Sequence, residues 1–411
     1  MNKTELLAII ENGESSGVEF KRDDVHADRL AREVVAMLNL EGGRILLGVE
    51  DDGTVTGRTR SVSEAEQGVM NVCRENVQPA VIPYWETVRW EKSSRVGVVT
   101  LPSDSPDKPY KAKRGRAWVT YVRVGPTSRE ATREEEARLY QASGMMRYDI
   151  KPVPGTSLRD LDLRRLENYL RDVLSQECPE AEDHRAWEEL LMNLDLLLAD
   201  RGHVLATVGG LLLFGRATKR FLPQSGITAT AYPGDQKDYA TIDEEAIRGP
   251  LLPVVSKKGD LVETGVIDRA VEFASRNMGT EAWLEGGRRR RRRAFPVDAV
   301  REAIVNAVAH RDYTITVTDI ELSLYSDRLE VISPGNLPNT VTVPKMRQGY
   351  RAARNELLKE ILRDYGYVEH RGMGVRRKII DGMRAHNGTE PDLIEEEDRF
   401  MVRLWKRRAP P

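Results

Sequence analysis

The alternation of apolar and polar positions divides the chain into three stretches of different texture. In the first, to about residue 143, DRLAREVVAMLNLEGG repeats Leu30, Val34, Met37 and Leu38 at the spacing of one helix face. GRILLGVED then predicts a short buried strand and DDGTVTG a turn into another, while RVGVVTLP and WVTYVRVG predict further strands. SREATREEEARLYQ predicts an acidic helix capped at its start. In the second stretch, a proline-rich linker, KPVPGTSL, precedes two amphipathic helices, DLDLRRLENYLRDVL and HRAWEELLMNLDLLLAD. TVGGLLLFG and GITATAYPG follow as predicted strands. In the third, GGRRRRRRAFP leads into a helix over VDAVREAIVNAVAHRDY, then strands in TDIELSLYSDRLEVIS. RNELLKEILRDYGYVEHRGMGVRRKIIDGMRAH predicts two more helices around a glycine pair, and FMVRLWKR a closing strand. The mixture is an α+β pattern without internal repeats.

A chain of 411 residues exceeds one ordinary core and implies two or three domains. The shifts in texture place them at 1–143, 144–275 and 276–411. Hydrophobic residues make up 40%, ordinary for a globular protein, and no run approaches the roughly 18 apolar residues of a membrane span. The N-terminus lacks the apolar core and small-residue cleavage site of a signal peptide. Cys73 and Cys178 make neither a metal-ligand spacing nor a disulfide framework. These features predict a cytoplasmic protein without a membrane partner. Charged residues reach 31%, yet the formal net charge is −2, so a polyanion must be held by a local patch.

GESSGVEFKRD sets Glu14 and Glu19 five residues apart, with Lys21 and Arg22 close behind. The pattern suits a solvated loop with ion pairs, or the edge of a site for a metal or a phosphate. Asp51 and Asp52 build the DDG turn or add a third carboxylate. Converging carboxylates suit Mg²⁺ or Mn²⁺, which lower the pKa of a bound water. Farther on, Lys111, Lys113, Arg114, Arg116, Arg123 and Arg129 cluster with Tyr110, Trp118 and Tyr121. Cations neutralise phosphates and aromatic faces stack on unpaired bases; a solvated hairpin over core aromatics has the same composition.

Four blocks in order, GESSGVEFK, AMLNLEGGRILLGVEDDGTVTG, KPYKAKRGRAWVTYVRVG and TSREAT, resemble the Schlafen-type AlbA domain over about residues 10–140. The resemblance implies a DNA- or RNA-binding module, with Lys111, Lys113, Arg114, Arg116, Tyr121, Arg123 and Arg129 as contacts. In nuclease-active Schlafens, two acids of the first block and one after the glycine-rich strand hold metal. The matching positions are Glu14, Glu19 and Asp51, with Asp52 as an alternative third and Lys21 balancing phosphate charge.

PVDAVREAIVNAVAHRDY places Glu302 and Asn306 four apart, on one helix face that His310 continues. Together with TVGGLLLFGRATKRFLPQSGI, it resembles the GHKL (Bergerat-fold) ATPases, in the branch labelled a helicase-related C-terminal domain, over about 200–408. The resemblance implies an ATP site in which Glu302 orients a water and Asn306 binds Mg²⁺. In place of the family's Asp-x-Gly-x-Gly, Ser333-Pro334-Gly335-Asn336-Leu337 keeps only Gly335. Ser333 stands where aspartate binds adenine, with less charge and reach. Gly372 and Gly374 match the phosphate-lid glycines, whose amides, with Arg371, would cradle phosphates; a helix cap uses the same residues. The chain lacks G-x-x-x-x-G-K-[ST], which argues against a motor helicase.

The run Arg288 to Arg293 repels itself and predicts an extended, solvated loop able to hold phosphates. The whole reads as an α+β protein: a Schlafen AlbA-type α/β domain, a helical and β connecting segment, and a Bergerat-like α/β sandwich. The expected function is a nucleic-acid-binding regulatory or defence protein with an ATP module, self-associating in the style of its relatives. The alternative is a metal-dependent endonuclease or endoribonuclease.

Overall fold

The computed structural model describes residues 1–57, 61–91, 94–102, 107–143, 146–285, 288–337, 341–349, 353–368, 373–396 and 398–407. The chain divides into two units, Met1–Met146 and Arg147–Pro411. No described helix is long and apolar enough to cross a membrane.

The first unit runs α1 (Lys3–Asn12), β1 (Val18–Lys21), α2 (Ala27–Asn39), β2 (Gly43–Leu47), α3 (Val62–Glu75), β3 (Val77–Gln78), β4 (Tyr84–Arg89), β5 (Arg95–Leu101), β6 (Lys111–Arg114), β7 (Ala117–Val124), β8 (Thr127–Glu130) and α4 (Arg133–Ala142). Two four-stranded sheets form, ordered β1-β2-β5-β4 and β3-β6-β7-β8. The α2 helix packs against strands of both, which explains why its apolar face is wide: Leu30, Val34, Met37 and Leu38 are all buried, as their spacing predicts. In β2 the side chains alternate, Ile45 and Leu47 joining the core around α2 and Leu46 a second core with Leu6 and Phe20. Asn39, at the end of α2, ties the basic hairpin in place. Its Nδ2 donates to the carbonyls of Tyr110 (2.9 Å) and Tyr121 (2.8 Å), and its Oδ1 accepts from the Tyr110 amide (2.7 Å).

The second unit begins with α5 (Leu163–Asn168), α6 (His184–Asn193), β9 (Leu197–Asp200), β10 (His203–Ala206), α7 (Val208–Phe214), α8 (Thr218–Phe221), β11 (Ile227–Ala231), β12 (Asp243–Ile247), β13 (Val254–Val255) and β14 (Leu261–Glu263). It continues with α9 (Val266–Asn277), β15 (Thr280–Glu285), β16 (Arg288–Arg293), α10 (Val297–His310), β17 (Ile320–Leu324), β18 (Arg328–Pro334), α11 (Val343–Arg347) and α12 (Glu356–Asp364). A π-helical turn, Gly374–Asp381, leads into α13 (Gly382–Asn387), and β19 (Asp392–Glu396) and β20 (Arg399–Trp405) close the chain. A six-stranded sheet, β12-β11-β17-β18-β20-β19, carries α9 and α10. Two of its strands come from the stretch read as a connecting segment, so that stretch and the C-terminal one share a single core.

Three local expectations are corrected. TVGGLLLFG is the helix α7, not a strand: the Thr207 side chain caps it by accepting from the Gly210 amide at 3.0 Å, and a wholly buried apolar run has no period to betray its conformation. DLLLAD leaves helix α6 to form β9. The arginine run is the strand β16, paired antiparallel with β15, not a loop. In that register Glu281 and Glu285 stand opposite Arg292 and Arg288.

Candidate functional site

The N-terminal acids share a neighbourhood but are committed elsewhere. Glu14 is half-buried and its Oε1 accepts from the Phe20 amide at 2.9 Å. Desolvation, with repulsion from Glu19 and Asp51, raises its pKa against the opposing hydrogen bond and Lys21. Glu19 is buried, its Oε1 bound by Lys21 and its Oε2 by Arg123 Nη2 at 2.6 Å. The Arg123 guanidinium also donates to the carbonyls of Ser15 (2.7 Å) and Val18 (3.0 Å) and pairs with Glu33 at 3.4 Å. Asp51 is exposed, and Asp52 serves its own turn: Oδ1 accepts from the Thr54 amide at 2.8 Å, which lowers its pKa. Among the described residues no three His, Cys, Asp or Glu side chains are arranged to hold a metal ion. Glu14, Glu19 and Asp51 as they stand do not fit Mg²⁺ or Mn²⁺, because protein cations already satisfy both oxygens of the central acid.

The basic cluster separates into partnered and unpartnered members. Arg123 has no exposed side-chain surface, so it holds the fold together and cannot reach a strand of nucleic acid. Tyr121 and Tyr110 are core residues, which removes them as stacking platforms. Lys111 pairs with Glu136 at 2.7 Å and Arg114 with Glu130. Arg129 grips Glu135 through two bonds of 2.7 and 2.8 Å, which hold the Glu135 carboxyl down to about 2. Lys113 and Arg116 are exposed and have no ion-pair partner among the described residues. They sit at the tip of the β6–β7 hairpin. Lys113 is the register partner of Trp118, and directly opposed residues share a sheet face. Trp118 is 40% exposed. The tip thus joins two free cations to one accessible aromatic ring. The exposed Arg114–Glu130 pair adds a cation at little cost, since water screens such surface pairs and leaves them weak.

In the second unit the predicted residues meet. Glu302, Asn306, His310, Ser333, Gly335 and Gly374 all line one cavity of about 240 Å³ between α10, β18, α12 and the π-helical turn. Asn306 Nδ2 donates to Glu302 Oε1 at 3.0 Å, leaving its amide oxygen as an acceptor. Lys378 approaches Glu302 Oε2 at 3.4 Å. Gly374 abuts this carboxylate so closely that a Cβ would stand 1.9 Å from Oε1. Gly335, at φ +105°, lets the end of β18 cross Asp312, 2.5 Å from where its Cβ would be. Beneath it Asp312 and Arg354 form an ion pair of 2.9 Å with almost no exposed surface.

Ser333 Oγ donates to the Ala307 carbonyl at 2.8 Å, which fixes the hydroxyl and leaves its oxygen as an acceptor. His310 Nδ1 is buried without a partner, and desolvation, with the charges of Arg354 and Lys359, pushes the imidazole down to about 4. The histidine is therefore neutral near pH 7. An orphaned ring nitrogen on His310 and a free amide oxygen on Asn306 leave the cavity wall with polar atoms open to a ligand. Gly372 and Arg371 lie outside the described residues. The lining residues Leu337, Val341, Ala353 and Val368 flank other such segments in sequence.

Several participants gave no sequence signal. Glu33, the second acid on Arg123, reads only as a helix residue. Lys378 follows Gly374 by one helical turn in GMGVRRK, a spacing that could have marked it. The Asp312–Arg354 pair joins residues too distant in sequence to associate by inspection.

Residues 14–132 match the family described as "Schlafen, AlbA_2", and residues 318–404 the family described as "Putative ATP-dependent DNA helicase recG C-terminal". The domain order is the one the motifs predict, although α10 with Glu302 and Asn306 precedes the second matched span. No curated protein matches the chain. Among solved structures, it is similar to the DIP2311 protein of Corynebacterium diphtheriae at 21% identity, covering 98% of this chain and 80% of that one, with a TM-score of 0.44. It is also similar to the N-terminal domain of a RecG-related helicase protein of Nitrosomonas europaea at 22% identity, covering 31% and 90%, with a TM-score of 0.24.

Proposed function

We propose that this chain, in which a Schlafen AlbA_2-type domain precedes a RecG C-terminal-type domain, is a nucleic-acid-binding regulatory protein that responds to an adenine nucleotide. The domain pair supports a nucleic-acid-related function. The observation that carries the nucleotide part is the convergence of Glu302, Asn306, His310, Ser333, Gly335 and Gly374 on one cavity. These residues come from three separated stretches of sequence, and a merely polar helix surface would not gather them. In this reading Asn306 and Glu302 face the metal-phosphate end and Ser333 accepts from the base. The nucleic acid is held at the β6–β7 tip, by Lys113 and Arg116 on phosphates and Trp118 on an unpaired base. The protein acts in the cytoplasm as a self-associating regulator or defence component.

The competing nuclease reading needs an open set of carboxylates, and Glu19 is closed by Lys21 and Arg123. The experiment is a titration of the full chain with a fluorescent ATP analogue and Mg²⁺, beside gel retardation of labelled single- and double-stranded DNA and RNA. Asn306→Ala should abolish analogue binding and leave retardation intact. Joint replacement of Lys113, Arg116 and Trp118 by alanine should do the reverse. Absence of analogue binding in the wild type would refute the nucleotide assignment, and Mn²⁺-dependent cleavage lost in Glu19→Ala would restore the nuclease.

A further inference from the structure

The β15–β16 ribbon, far in sequence from the basic hairpin, carries a run of six arginines that the reading above leaves unused. Its strand pairing sorts them. Residues of a strand alternate between faces, and directly opposed residues share one. Arg288, Arg290 and Arg292 are opposite Glu285, Trp283 and Glu281. Arg289, Arg291 and Arg293 are opposite Leu284, Ala282 and Thr280. All the acids of the partner strand therefore fall on one face, and the other holds three arginines with no cross-strand carboxylate. The same division marks inside from outside. Arg292, of the acid-bearing face, is partly buried and donates to the His386 carbonyl. Arg291 and Arg293, of the other face, are exposed, and Arg293 is steadied by a 3.2 Å bond to Ser275 Oγ. The ribbon is anchored at its base, where His386 Nε2 meets the Arg293 carbonyl at 2.8 Å.

We infer that the face bearing Arg289, Arg291 and Arg293 is a second nucleic-acid surface, in the C-terminal unit, that binds the phosphate backbone. Arginines at every second position of an extended strand fall on one face of it, and the guanidinium is the donor best suited to phosphate oxygens. A two-stranded ribbon is also narrow enough to follow a groove of a duplex. The surface has nothing to distinguish bases, so it supplies affinity without sequence preference. Nucleic acid is the favoured polyanion because the other unit is itself of a nucleic-acid-binding type.

The test removes equal charge from opposite faces of the ribbon in the full chain. Arg291→Gln with Arg293→Gln is compared with Arg288→Gln with Arg290→Gln, measuring duplex DNA affinity across a salt series. Each phosphate contact contributes about 0.9 to the slope of log K against log salt. The first pair should lower that slope by about 2, and the second should leave it unchanged. Both variants retain ATP-analogue binding if the unit is folded, which separates loss of contact from loss of fold. Equal effects of the two pairs would overturn the assignment of a face. No effect of either, with the whole slope lost on replacing Lys113 and Arg116, would overturn the second surface. Ribbon-dependent binding to phosphatidylserine vesicles but not to DNA would overturn the choice of partner.

Discussion

Arg123 brings together two carboxylates and two backbone carbonyls with no exposed side-chain surface of its own, and this decides how the acidic motif behaves. Removing one partner of a buried ion pair strands the other charge, at a cost of about 3–5 kcal/mol. Glu19→Ala should therefore destabilise the first unit by about that much in urea unfolding, while Asp51→Ala, at an exposed position, stays within about 0.5 kcal/mol. The sign is diagnostic. If Glu19 instead belonged to a metal-free cluster of repelling carboxylates, its removal would stabilise the protein. His310 gives a second test at this scale. Its folded pKa lies near 4, below the ordinary 6.5. Above pH 6.5 the ring is neutral folded or unfolded and stability does not depend on it. As pH falls from 6.5 toward 4, only the unfolded chain takes up the proton, so stability declines, by about 3 kcal/mol at most, and levels off below 4. His310→Gln should flatten that part of the pH–stability curve of the second unit; an unchanged curve would assign the slope to other groups. The two sites were not equally legible. Glu302 and Asn306 show their shared face by a four-residue spacing. The pairing of Arg123 with Glu19 and Glu33 spans two sheets and leaves no local mark.

Among elements, periodicity served where an element has one wet face. The face of α2 and the capped helix α4 follow from spacing and cap residues, because an element with one wet face alternates polar with apolar, while β5, buried from Val96 to Val99, shows itself by its run of β-branched residues. α7 is wholly buried, and its Gly209-Gly210 pair reads as strand or turn. The glycines have a packing reason: a Cβ on Gly210 would stand 2.3 Å from the Leu196 carbonyl oxygen, and one on Gly209 2.6 Å from a Leu357 methyl. The basic hairpin is only partly legible for a related reason. Its cations were visible in sequence, and so were the acids of the SREATREEEARL segment, but only the fold shows that Lys111, Arg114 and Arg129 take those acids as partners. Two glycine substitutions in elements of the second unit should part company. Gly210→Ala meets backbone that cannot yield and should destabilise by about 1–3 kcal/mol. Gly374→Ala meets only the carboxylate end of Glu302, whose displacement costs its bonds to Asn306 and Lys378 and is partly offset by alanine's better helix propensity, up to about 1 kcal/mol. Its loss of stability should be smaller than that of Gly210→Ala, while displacement of Glu302 weakens ATP-analogue binding at least about tenfold. Equal loss of stability in both variants would show that the π-helical turn depends on Gly374 for packing rather than for the cavity.

For the molecule as a whole, the apolar clusters keep to their units. Those around α2 and around Phe20 contain only residues of the first unit, and the large cluster around α7, α9 and α10 only residues of the second. Cooperative unfolding follows a shared core, so a chain with separate cores should melt in two transitions. The binding sites proposed for hairpin and cavity then report on different transitions. A ligand stabilises the state it binds by RT ln(1 + [L]/Kd), about 2.7 kcal/mol at about one hundred times Kd. In differential scanning calorimetry, ATP with Mg²⁺ should raise only the transition of the second unit, and Asn306→Ala should cancel the rise. A short single-stranded oligonucleotide that fills the hairpin tip should raise the first transition, and a duplex held by the arginine ribbon should raise the second. Movement of both transitions by ATP alone would mean that the binding energy of the nucleotide reaches the first unit, and the cavity would then be a direct regulator of the hairpin rather than a separate station on the same chain.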